Sequence, residues 1–279
     1  MSAHPPTPML SGNGRALAAV LMAVSLVTLD ASMTNTALPA IGAGLQATPA
    51  RPIWVVNAYQ LAVVAALLPF AALADRLGAR RVHLGGLAVF IVGSLASASA
   101  WSLPALVAAR ALQGLGAAAT MSVNIALVRQ IYPPQQLGRG VGLNALVVGM
   151  SFALGPTVAS LLLAVGTWPW LYALNLPLGL LAWAVAWRSL PRGAARGQPF
   201  DAGAALLTAL SFGAGLASLA MAAQRAAMAT VLALMLLSLG AGRALLHRQK
   251  RHVAPMLPVD LLRRPLFALS VATSMASFT

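Results

Sequence analysis

The sequence contains no cysteine and no glutamate, and only 8% of its 279 residues are charged. Without cysteine there are no disulfides and no thiolate metal sites, although this says nothing about compartment. A charged fraction far below the roughly 25% of soluble globular domains excludes an ordinary water-soluble fold. The four acids are all aspartate: Asp30, Asp75, Asp201 and Asp260. Against them stand seventeen arginines and Lys250, for a net charge of +14. A nucleic-acid binder would gather that charge on one face with aromatics for stacking. Here the basic residues are scattered between apolar runs, so no nucleic-acid partner is expected. His4, His83, His247 and His252 lie apart and lack carboxylate companions, which excludes a metal site. There is no phosphate-binding loop and no recurring pair of nucleophile and base, so neither nucleotide-driven pumping nor an enzyme is expected.

What the chain does have is apolar length, with 59% of residues hydrophobic. A helix crossing the hydrocarbon layer needs about 20 mostly apolar residues. Eight segments meet that need: Ala16 to Pro39, Pro52 to Ala74, Val82 to Ala100, Leu103 to Ile131, Gly140 to Val165, Leu171 to Trp187, Ala202 to Ala222 and Met228 to Leu246. A ninth begins near Leu266. The first run is too long for the h-region of a cleavable signal, so it is expected to stay as span one. The expectation is an all-α integral, multi-pass membrane protein.

Arginine placement predicts orientation, because basic residues in short loops accumulate on the cytoplasmic side. With the N-terminus inside, fifteen basic residues fall on the cytoplasmic side and two, Arg51 and Arg225, on the outer side. Arg110 lies within span four. The run His247 to His252 is read as a topology signal rather than an anionic-lipid site.

Ionisable groups in a span cost about 2.5 to 3.5 kcal/mol on insertion scales, which makes them candidates for function. Asp30 lies 14 residues into span one and Arg110 lies 7 residues into span four, entered from the other side. At about 1.5 Å rise per residue, both sit ~20 Å from the cytoplasmic edge of the layer. Two opposite charges at one depth either neutralise each other across neighbouring helices or line an aqueous cavity together. Around them, Arg110, Gln113, Ala117, Met121 and Asn124 form one stripe on span four at three- and four-residue steps. Span one adds Thr34 and Asn35, span two adds Asn57 and Gln60, and span five adds Asn144 and Ser151. These residues are expected to line the cavity, with interhelical hydrogen bonding as the alternative for each. Gly155 and Pro156 interrupt span five for close contact or bending.

Five stretches in order resemble the major facilitator superfamily, specifically its fourteen-span drug/proton antiporter branch. They are LDASMTNTALPAI from Leu29, ADRLGARR from Ala74, ARALQGLGAA from Ala109, GPTVAS from Gly155 and WPWLYALNLPLG from Trp168. Ala71, Ala159, Ser160 and Pro169 depart from the branch's pattern, the last leaving the outer end of span six without a common arginine. The resemblance implies a cytoplasmic tail at 1–15, a six-helix N-terminal bundle at 16–187 and a linker at 188–201. Two additional spans at 202–246, a loop at 247–265 and a partial ninth span at 266–279 complete the expected order.

The same resemblance implies proton-coupled efflux of hydrophobic or cationic small molecules across the cell membrane. Asp30 and Arg110 would carry the proton coupling, the proton gradient would supply the energy with no cofactor, and the complete protein would be a monomer. Asp75, Arg76, Gly78, Arg80 and Arg81 would form an inner gate loop, Asp75 latching onto a C-terminal bundle or pairing with its neighbouring arginines. Gly155 and Pro156 would form the antiporter motif. Only about 14 apolar residues follow Pro265, short of a full crossing. The chain is therefore expected to be part of a longer protein, with a non-transporting membrane component as the alternative.

Overall fold

In the computed structural model, residues 11–48, 51–192 and 200–249 are described. The ninth span expected from Leu266, and residues 193–199 of the 188–201 linker, lie outside them. Among the described residues there are ten α-helices: α1 Ser11–Gly44, α2 Ile53–Leu77, α3 Ala79–Ala98, α4 Leu103–Ser122, α5 Asn124–Ile131, α6 Leu137–Val165, α7 Pro169–Ala173, α8 Asn175–Ser189, α9 Ala202–Ala223 and α10 Met228–Gln249. They supply 8 helical stretches long and apolar enough to cross a membrane, with α4 and α5 forming one and α7 and α8 another. This number and order match the sequence reading, and among the described residues no strand occurs. Helix ends differ by a few residues, the largest being α1, which continues through Pro39 to Gly44.

The two interruptions have local causes. Between α7 and α8, Pro177 has no N–H to give the carbonyl four residues earlier, so the ladder lapses at Leu174. Between α4 and α5, Thr120 and Ser122 turn their hydroxyls back onto the carbonyls of Gly116 and Ala119, a competition that bends helices. The tight reversal from α2 to α3 turns on Gly78, whose φ of 91° and ψ of 141° suit only glycine.

The helices pack by the same plan in two groups: α4 lies between α2 and α3, and α1 lies between α6 and α8. The groups join where α3 meets α7 and α8. Between helices in lipid, small residues and close backbone approach replace the hydrophobic drive. A Cβ on Gly114 would lie 2.6 Å from the Tyr59 carbonyl oxygen, and one on Gly93 equally near the Gln113 backbone. Apolar clusters fill both ends of the bundle. One joins Val20, Leu87, Leu127 and Ala186; the other joins Met33, Ile41, Leu106 and Leu171. A smaller middle group holds Leu26, Val27, Tyr59, Phe90 and Ala117. The α9–α10 hairpin packs α9 on α2, with Gly213 beside Ala65. Its open end is closed by Asp201, which caps α9 at the Ala204 N–H and accepts from Arg248 Nε at 2.9 Å.

Close approach at Gly114 predicts that Gly114→Val lowers the thermal midpoint in detergent, at a cost of about 1 to 3 kcal/mol for overpacking. Gly149→Ala is the control, since a Cβ there meets nothing within 4 Å. It should leave the midpoint unchanged or raise it.

Candidate functional site: a buried ion pair between the central helices

Asp30 on α1 and Arg110 on α4 face each other across the middle of the bundle, each 1% exposed. Arg110 Nη1 donates to Asp30 Oδ2 at 2.6 Å and to Gln113 Oε1 at 2.6 Å. Gln113 Nε2 donates to Asp30 Oδ1 at 3.0 Å and to Ser94 Oγ on α3 at 2.8 Å. Asn175, the first residue of α8, donates its Nδ2 to Asp30 Oδ1 at 2.6 Å. Arg110 Nε reaches the Val55 carbonyl of α2 at 3.4 Å, and Thr34 Oγ1 bonds the Asp30 carbonyl at 2.9 Å. The guanidinium stands 4.1 Å from the Tyr59 ring centroid and 5.5 Å from that of Tyr172. Charge, hydrogen bonds and aromatic faces thus all favour a centred cation.

The two charges placed at one depth by counting residues do meet, and they are sealed from solvent as a pair. The carboxylate takes three side-chain N–H donors, two of them on Oδ1. Two polar atoms at the centre lack a completed bond: Asn175 Oδ1 and Tyr172 Oη, the latter beside the Thr34 hydroxyl. A buried acceptor without a partner costs about 1 to 3 kcal/mol, so each such atom needs a reason.

The other sequence candidates separate into two sets. Thr34 and Gln113 are buried in the network itself. Asn124 bonds Asn144 at 2.9 Å, and Ser151 bonds Ser25 at 2.7 Å, so these three tie helices together. Gly155 lies so close to Ser32 of α1 that a Cβ would collide with it, and Pro156 leaves α6 continuous. Met121 is half-buried against the middle apolar group. Asn35 and Gln60 are exposed and Asn57 is half-buried.

At the α2–α3 turn, Asp75, Arg76 and Arg81 are exposed. Arg80, which orientation alone accounts for in the sequence, has a structural partner: its Nη2 donates to the Trp187 carbonyl near the end of α8 at 2.5 Å. Its guanidinium lies 5.5 Å from the Trp187 ring, which stacks on Trp183 at 5.2 Å. Trp183 Nε1 in turn donates to the Leu84 carbonyl of α3 at 3.1 Å.

Sequence reasoning missed Asn175, Ser94, Tyr59 and Tyr172. Asn175 had a readable signal, a lone amide inside an apolar span, the same signal that singled out Asn57. Tyr59 lies between Asn57 and Gln60 but points to the buried side of α2. Among the described residues there is no cluster of metal-ligating side chains.

The sequence profile of the Major Facilitator Superfamily matches residues 20–279. The chain is 44% identical over 265 residues to the uncharacterized transporter YebQ of Escherichia coli (strain K12), covering 94% of this chain and 58% of that protein. It is 32% identical over 257 residues to the methylenomycin A resistance protein of Streptomyces coelicolor, covering 91% of this chain and 54% of that protein. Among solved structures, the proton:xylose symporter XylE matches with a TM-score of 0.56 at 13% identity, covering 86% of this chain and 55% of that one. The chain therefore spans a little over half the length of these relatives.

The ion pair can be weighed in the chain itself. Arg110→Met leaves a carboxylate without its counter-charge and should cost about 3 to 5 kcal/mol, whereas Arg110→Met with Asp30→Asn should recover most of that loss. Thermal unfolding of the four proteins of the cycle in lipid nanodiscs measures the coupling.

Proposed function

The chain belongs to the major facilitator superfamily, and from that premise we propose that it is part of a proton-coupled exporter of hydrophobic or cationic small molecules, of the fourteen-span drug/proton antiporter branch. The observation that supports this reading is the sealed Asp30–Arg110 pair at mid-span. A neutral pair is tolerable in a low-dielectric bundle; adding a proton to Asp30 leaves Arg110 as an uncompensated buried cation. Such a change favours a different arrangement of the helices, which is what proton coupling requires of a transporter that rocks two halves about a central site.

The remaining roles follow from this reading. The N-terminus lies in the cytoplasm and the chain resides in the cell membrane, as the arginine distribution supports. Exposed Asn35 and Gln60, with half-buried Asn57, offer neutral hydrogen-bonding groups to a small-molecule substrate. Asp75, Arg76, Gly78, Arg80 and Arg81 form the inner gate loop, with Arg80 as its fixed end. One relative carries the name of a methylenomycin A resistance protein, so drug resistance occurs among proteins similar to this chain. The complete exporter acts as a monomer on substrate, protons and lipid, with no further cofactor.

Asp30→Asn in the complete transporter tests the reading. Proton-driven efflux and its pH dependence should be lost while expression and membrane insertion persist. Efflux that keeps the parent pH profile in everted vesicles would refute a coupling role for Asp30.

A further inference from the structure

Asp30 is held by two amides, and they differ in what they can do. Gln113 is fixed at both ends: its Oε1 accepts from Arg110 and its Nε2 donates to Asp30 and Ser94. Turning that amide over would set its nitrogen against a guanidinium and its oxygen against a carboxylate. Asn175 is fixed at one end only. Its Nδ2 must face Asp30, because an ionised carboxylate can only accept, while its Oδ1 is fully buried with no partner. The α7–α8 interruption leaves this residue at a helix start, with Leu174 just before it outside the regular ladder.

We propose that Asn175 is a positioning residue whose amide rotates with the protonation state of Asp30. With Asp30 ionised, Nδ2–H donates to Oδ1 of the carboxylate, as the structure shows. When a proton is placed on that carboxyl oxygen, the group becomes a donor, and the rotated amide accepts through its own Oδ1. The added proton stays on Asp30, Arg110 keeps its charge, and no hydrogen bond to the carboxyl group is lost. The unpartnered oxygen of Asn175 is then the acceptor of the protonated state. This inference deepens the proton-coupling reading of the same centre and rests on it.

The charged and titratable groups facing Asp30 are Arg110 from α4, Tyr59 from α2 and Tyr172 from α7. From α3 comes the neutral Ser94, through Gln113, and α6 faces α1 with Ser151 and the Phe152 carbonyl. Of the two amides on Asp30, Asn175 is the one whose oxygen has no partner.

Infrared difference spectroscopy of the chain in lipid nanodiscs, between high and low pH, tests the rotation. The C=O band of protonated Asp30 is assigned by its disappearance in Asp30→Asn. In Asn175→Leu that band should move to higher frequency, as for a carboxylic acid that has lost a hydrogen bond, and in Asn175→Gln it should return toward the parent position. If Asn175 serves the carboxylate alone, Asn175→Leu will move the titration midpoint and leave the protonated band in place, and the proposal is overturned. Should Asn175→Leu not fold, Asn175→Ser, which keeps a rotatable donor and acceptor, must show a smaller displacement than Asn175→Ala. The two readings separate cleanly. Loss of efflux in Asp30→Asn with an unmoved band in Asn175→Leu sinks the rotation and keeps the coupling. Undiminished pH-dependent efflux in Asp30→Asn sinks the coupling itself.

Discussion

A carboxylate and a guanidinium facing each other inside a bilayer-spanning bundle set the terms for everything around them. Either charge alone would be several kcal/mol too costly at that depth, so each must be within hydrogen-bonding reach of the other and closed off from lipid. The bundle meets both conditions with separate means. Close approach is given by glycine, at Gly93 and Gly114, where any side chain would push α3 or α2 away from α4. Closure is given by the apolar clusters at the two ends, between which the network of Asp30, Arg110, Gln113, Ser94 and Asn175 forms one polar layer. Tyr59 and Tyr172 finish the seal with aromatic faces turned to the cation.

The arrangement of helices explains why these two positions carry the charges. Each group of three has one central helix, α1 between α6 and α8 and α4 between α2 and α3. A residue at the middle of a central helix has neighbours on most sides, so its charge can be surrounded by donors and acceptors. Asp30 and Arg110 lie well inside the two central helices and reach each other from one group to the other. A flanking helix also has an outward face, as exposed Gln60 on α2 illustrates. The pair is therefore also the polar bond between the two groups of helices.

Much of this is legible in the sequence alone. The eight spans follow from apolar length, and the shared depth of Asp30 and Arg110 follows from counting residues from opposite faces of the layer; that they pair does not. What counting cannot supply is the angular position of a side chain relative to helices not yet placed. On α2 the sequence favours Asn57 and Gln60 because they are polar, while the residue that closes over Arg110 is Tyr59 between them. Asn124, Asn144 and Ser151 were legible as polar positions in a span, but whether such a residue meets a cavity or another helix depends on which neighbour lies opposite. Asn175 stood within a stretch recognised for its family likeness and gained its meaning only when α8 was set against α1.

That helix links two features that are far apart in the sequence. Asn175 begins α8 with its bond to Asp30, and Trp187 near its other end receives Arg80 from the α2–α3 turn. Twelve residues of helix separate them, about 18 Å at the usual rise. Arg80 follows closely on Gly78, whose unusual backbone geometry fixes the direction of the turn. Asp75 lies on the other side of that glycine and is exposed. The acid that has no use in setting orientation thus lies next to a segment whose anchorage runs through α8 to the buried carboxylate. Contacts therefore run without a break from Asp30 to the loop, through Asn175, α8 and Arg80.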